Sequence, residues 1–126
     1  MTDLTRRQLL GATVAAAAAA PALSQTAATA PSLAGRSILI TGTSSGFGNL
    51  AALLFARSGA RVIATMRNLP RPEGEGLARV ARNEKLDLHV VELDVTKDDE
   101  VTRAIREAER IAGGGLDVLV NNAGIG

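Results

Sequence analysis

Ser37-Ile38-Leu39-Ile40-Thr41, running directly into Gly42-Thr43-Ser44-Ser45-Gly46-Phe47-Gly48, is the stretch that decides the fold. Its first five residues form a short apolar run bounded by a turn signal, the pattern of a buried strand. Leu50 to Ala56 then reads as a well-buried helix, which Gly59 ends. A strand that passes through a glycine-rich turn into a helix leaves bare backbone amides at a helix N-terminus, where a phosphate group is favoured. Glycine at 42, 46 and 48 keeps side chains out of that approach, and Ser44 and Ser45 offer hydroxyls beside it. The competing reading is a flexible strand-to-helix turn with no ligand.

The same alternation continues along the chain. Arg61 to Thr65 reads as a second strand. The loop from Asn68 to Gly76, with Pro70, Pro72 and Gly74, leads to a short helix around Leu77 to Arg82, and Leu88 to Leu93 is a third strand. Thr96 is an expected N-cap for a helix whose apolar positions are Val101, Ala104, Ile105, Ala108 and Ile111, ended by Gly113-Gly114-Gly115. Leu116 to Asn121 contains a fourth strand around Val118-Leu119-Val120. Strands alternating with helices define an α/β class, a Rossmann-like parallel sheet with helices on both faces. A complete doubly wound domain has about six strands, so the expectation is a fold truncated after the fourth.

Composition narrows the chemistry. The 126 residues include no cysteine, tryptophan or tyrosine and two phenylalanines, which excludes a disulfide scaffold, a Cys-ligated zinc site and any use of a tyrosine hydroxyl. Residues 1–30 stand apart: Arg6-Arg7, an apolar run from Leu9 to Ala20, then a stretch rich in Ala, Ser and Thr, the layout of an export signal. The run is shorter than the roughly 20 apolar residues a membrane span needs, and Pro21 closes it. Thr5-Arg6-Arg7-Gln8-Leu9-Leu10 resembles the twin-arginine signal of bacterial export. An alanine-rich leader with a chance arginine pair is the alternative. Cleavage after Ala22 or at another small residue fits, whereas Pro31 argues against a cut directly after Ala30. The expected destination is the periplasm, or the cytoplasm if the leader is inactive. With Asp3, Arg6 and Arg7 set aside, residues 31–126 carry equal numbers of basic and acidic side chains. A neutral body so poor in aromatics lacks the basic stripe and stacking platforms of a nucleic-acid binder.

Two further motifs accompany the glycine turn: Asp94-Val95 at the end of the third strand and Asn121-Asn122-Ala123-Gly124 after the fourth. Together with Gly-x-x-x-Gly-x-Gly at 42–48, they give residues 33–126 a pattern that resembles the short-chain dehydrogenase/reductase family. The resemblance implies that Asp94 accepts a hydrogen bond from the adenine amino group while the Val95 amide donates to the ring. It places Asn121, Asn122, Ala123 and Gly124 beside the cofactor ribose, steadying the sheet. The bland readings are a strand-end aspartate and a tight turn.

NAD-preferring relatives place an acidic residue at the end of the second strand, where this chain has Met66 followed by Arg67. A guanidinium suits a 2′-phosphate through paired, charge-assisted hydrogen bonds, so the expected cofactor is NADP rather than NAD, with Ser44 and Asn68 assisting. The alternative is a solvated Arg67, with Glu73 or Glu75 turned toward the ribose. His89, amid Val90 and Val91, reads as a structural residue, and Lys97-Asp98-Asp99-Glu100 as the acidic first turn of a helix.

The family transfers hydride between nicotinamide and a carbonyl or alcohol, using a tyrosine, a lysine downstream of the Asn-Asn-Ala-Gly motif, a serine and an asparagine. The tyrosine is not in this chain, and both lysines, Lys85 and Lys97, precede the motif, so no catalytic residue is assigned. The expectation is the NADP-binding portion of an exported oxidoreductase, a homo-oligomer when complete, with a carbonyl or alcohol as substrate only in that form. A non-catalytic nucleotide-binding module and a non-functional remnant are the alternatives.

Overall fold

The structure is a computed structural model that describes residues 32–124; the expected leader, residues 1–30, lies outside the described residues. Four strands and three helices alternate: β1 Ser37–Ile40, α1 Gly46–Arg57, β2 Arg61–Met66, α2 Pro72–Glu84, β3 Leu88–Glu92, α3 Asp98–Ala112 and β4 Val118–Val120. The sheet is parallel throughout, in the order β3-β2-β1-β4.

Alternation along the strands sorts the core into two layers. Ile38, Ile40, Val62, Ala64 and Met66 face Ala51, Ala52 and Ala56 of α1 and Leu77 and Ala81 of α2. Leu39 and Ile63 point the other way, against Ala108, Ile105 and Ile111 of α3. Helices therefore cover both faces, as the alternation of elements requires. The small side chains on the buried stripes of α1 and α3 let these helices lie close against branched strand residues. β4 is held at its base by Asp117, whose Oδ2 accepts from the Ser37 amide at 2.8 Å while its own amide donates to the Ser37 carbonyl at 2.9 Å.

All three helix starts differ from the sequence expectations. α1 begins at Gly46 rather than Leu50, so its first turn lies inside the glycine motif. α2 begins at Pro72 rather than Leu77, because proline at the first position of a helix loses no hydrogen bond. Gly74 within it is not a loop residue: a Cβ there meets Leu69 Cδ2 at 2.9 Å and Met66 Sδ at 3.3 Å, so glycine allows the helix to close on the sheet. The N-cap of α3 is Lys97 rather than Thr96, whose amide and hydroxyl both turn back to Asp94. His89 is on β3 as expected, yet its side chain is exposed, with Nε2 2.7 Å from Asp87 Oδ1.

Candidate dinucleotide site

Strand order reverses direction between β1 and β4, since the chain moves outward from β1 to β2 and β3 and then returns to the opposite side of β1. Doubly wound sheets bind ligands at the carboxyl ends of the strands flanking such a switch point. The loops that leave β1, β2, β3 and β4 at that end line one cleft of about 340 Å3.

The glycine turn forms one wall. The peptide amides of Ser44, Ser45, Gly46, Phe47 and Gly48 find no acceptor among the described residues, and the N-cap Ser45 makes no side-chain cap. An uncapped helix start with several free donors is an electropositive cradle for a phosphate. The glycines divide their work. Gly46 adopts φ +60 with open space where a Cβ would sit. The room at Gly42 and Gly48 is taken by the protein itself: a Cβ on Gly42 meets Ala123 Cα at 2.8 Å, and one on Gly48 meets the Gly42 carbonyl oxygen at 2.2 Å and Asn122 Nδ2 at 2.6 Å.

Those approaches exist because the loop after β4 is fastened to the turn after β1. Thr41, 4% exposed, carries the fastening: its Oγ1 accepts from the amides of Asn122 and Ala123, each at 2.9 Å. The same hydroxyl lies 3.5 Å from Asn121 Oδ1, to which it donates. Asn122 Nδ2 donates to the Gly42 carbonyl at 3.1 Å, and Asn49 Nδ2 to the Thr43 carbonyl at 3.2 Å. Thr43 is fully buried, with amide and hydroxyl both on the Thr65 carbonyl at 3.0 Å.

The third wall follows β3. Asp94 Oδ1 accepts from the Thr96 amide at 3.0 Å and the Thr96 hydroxyl at 2.6 Å. The hydroxyl bond first, then the amide, with Lys97 and Arg67 adding positive charge, holds the carboxyl below the usual aspartate range. Its Oδ2 accepts no bond among the described residues, and neither does the Val95 amide donate one. Arg67 stands at the end of β2 on the same cleft.

Of the residues expected from sequence, Gly42, Ser44, Ser45, Arg67, Asp94, Val95, Asn122, Ala123 and Gly124 line the cleft. Thr43, Gly48 and Asn121 stand behind it as its supports. Gly46 and Phe47 are the first residues of α1, and the Phe47 side chain is 72% exposed. Asn68 turns the chain after β2 with φ +61 and does not line the cleft. Glu73 and Glu75 also lie off it, and Glu73 is paired with Arg71. The sequence reading missed Met66, Leu93 and Thr96 as lining residues and Thr41 as the fastener. A threonine between a strand and a glycine turn is the signal for the last, but its partners lie some 80 positions away.

This architecture and site define a Rossmann-like dinucleotide-binding class, and comparison with known proteins makes it specific. Residues 36–126 match the short chain dehydrogenase family, and the chain belongs to it. The fold of that family binds a nicotinamide dinucleotide. An uncharacterized oxidoreductase of Myxococcus xanthus is 45% identical over 91 residues, which are 72% of this chain and 35% of that protein. Farnesol dehydrogenase of Aedes aegypti is 38% identical over 92 residues, 73% of this chain and 37% of the relative. Among solved structures, gluconate 5-dehydrogenase from Burkholderia cenocepacia in complex with NADP and tartrate superposes with a TM-score of 0.63 at 38% identity, covering 75% of this chain and 36% of that one. A dehydrogenase/reductase from Sinorhizobium meliloti gives 0.68 at 33% identity, covering 75% and 36%. The chain thus spans about a third of the length of the relatives it matches. No helix among the described residues is long and apolar enough to cross a membrane.

Proposed function

We propose that the cleft holds the adenosine and pyrophosphate portion of NADP(H), as the cofactor-binding part of an oxidoreductase that moves hydride between nicotinamide and a carbonyl or alcohol. The observation that carries the reading is the run of free amides from Ser44 to Gly48 at the uncapped start of α1, on the loop that leaves β1 beside the switch point where such ligands sit. In this reading the pyrophosphate lies on those amides. Asp94 Oδ2 and the Val95 amide bind the adenine, and the loop at 121–124 borders the ribose nearer the nicotinamide. Arg67 meets the 2′-phosphate, with the Ser44 hydroxyl on the same cleft assisting. Glu73, the acidic alternative for the ribose, is paired with Arg71. When bound, the cofactor supplies the hydride; what the residues of this chain do is bind and orient it.

Cofactor affinity tests the reading. Arg67→Glu should weaken NADPH binding by roughly tenfold or more, the scale of a lost charge-assisted pair, and leave NADH binding nearly unchanged. Equal losses for both would refute the phosphate assignment. Residues 1–30 are proposed as a twin-arginine export signal, and Arg6→Lys with Arg7→Lys should retain the protein in the cytoplasmic fraction. Continued export of the double variant would refute that.

A further inference from the structure

The two arginines of the β2–α2 loop are used differently. Arg71 is spent: its Nε donates to Glu73 Oε1 at 2.9 Å and its Nη1 to the Arg67 carbonyl at 3.1 Å. The guanidinium of Arg67, exposed at the cleft, enters no ion pair or hydrogen bond among the described residues. Its backbone, by contrast, is anchored on both sides. Before it, Met66 pairs in register with Glu92, and the Met66 carbonyl accepts from the Leu93 amide at 3.0 Å. After it, the chain turns through Asn68 at φ +61, and Glu92 Oε2 accepts from the Leu69 amide at 3.1 Å.

We infer that Glu92 and Arg71 are positioning residues for Arg67, setting the preference for a 2′-phosphorylated dinucleotide by fixing the backbone from which the uncommitted guanidinium projects. The inference rests on the proposed role of Arg67 and adds what makes that role selective. A flexible cation on a mobile loop loses rotamer and loop freedom on meeting a phosphate, whereas one on a braced loop has lost the loop freedom already. Glu92 spends its carboxylate on a backbone amide and Arg71 spends its guanidinium on a backbone carbonyl, so neither is a phosphate ligand. Their effect reaches the ligand through Arg67.

The test is calorimetric titration of the chain with NADPH and separately with NADH, as wild type, Glu92→Ala, Glu92→Gln and Arg71→Lys. Glu92→Ala removes the acceptor for the Leu69 amide. Glu92→Gln keeps an acceptor without the charge, and Arg71→Lys keeps the charge without the planar fork. The expected result is a five- to tenfold fall, roughly one net hydrogen bond, in the NADPH-over-NADH affinity ratio of Glu92→Ala and Arg71→Lys. The fall should come from NADPH alone, and Glu92→Gln should stay within about twofold of wild type. Unchanged ratios in Glu92→Ala and Arg71→Lys overturn the inference. Equal rises in Glu92→Ala and Glu92→Gln also overturn it, because they mark a carboxylate that merely repels the phosphate. If Glu92→Ala does not fold, Arg71→Lys decides alone. A wild type without NADPH preference refutes the Arg67 reading itself and takes this inference with it, which separates the two failures.

Discussion

At the scale of single residues, the site depends on positions that never meet a ligand. Gly48 lies where a methyl group falls 2.2 Å from the Gly42 carbonyl oxygen, and that backbone on one side and the hydrogen-bonded Asn122 side chain on the other leave little room to yield. Gly48→Ala should therefore destabilise the protein by about 2 kcal/mol or more, the range of an overpacked core site, measured as a shift in the denaturant midpoint. Thr41 is the companion case. Replacing it by the isosteric valine leaves the Asn122 and Ala123 amides without their shared acceptor. The expected cost is about 1–3 kcal/mol, with Thr41→Ser close to wild type in the same denaturation experiment. A valine variant as stable as wild type would mean that water replaces the hydroxyl. Glycine spacing announced a turn in the sequence, but which glycines face open space and which clear the protein's own atoms was not legible. That distinction depends on contacts between residues 42 and 48 and residues 122 and 123.

At the scale of elements, the strands were the most legible part, because short runs such as Val62-Ile63-Ala64 between turn signals have few other uses. Helix starts were less so: Pro72, Gly74 and Gly76 read as loop residues, and only packing against Met66 and Leu69 makes a glycine favourable there. The end of α2 carries an avoidable strain, since Lys85 occupies the left-handed region at φ +57. Lys85→Gly should raise stability by about 0.5–1 kcal/mol, read as an increase in the thermal midpoint, and a fall would show that the lysine side chain contributes more than its strain. The loop into α3 is pH-sensitive with a definite sign. The Thr96 hydrogen bonds depress the native Asp94 carboxyl, so its contribution is fully present above the unfolded value of about 3.9. It is lost as pH falls through the lower native value. The stability difference between wild type and Asp94→Asn should be constant from about pH 7 to 5 and narrow below about pH 4. A difference that instead grows in acid would contradict the assigned bonds.

At the scale of the whole molecule, the order β3-β2-β1-β4 brings four loop ends to one switch point, so three motifs scattered from residue 42 to residue 124 become one cleft. The class of the fold and most of the cleft were legible from the order of motifs and their places at strand ends. The supports were not, since Thr41, Asn49 and Glu92 act through partners that only the folded chain brings near. The chain belongs to the short chain dehydrogenase family and spans about a third of its relatives' length. The proposed cofactor binding is tested most directly by the structure of the protein with NADPH bound. The pyrophosphate should lie on the amides of residues 44–48, the adenine against Asp94 and Val95, and the 2′-phosphate on Arg67. A cofactor bound elsewhere, or one whose 2′-phosphate points away from Arg67 into solvent, would contradict the proposal.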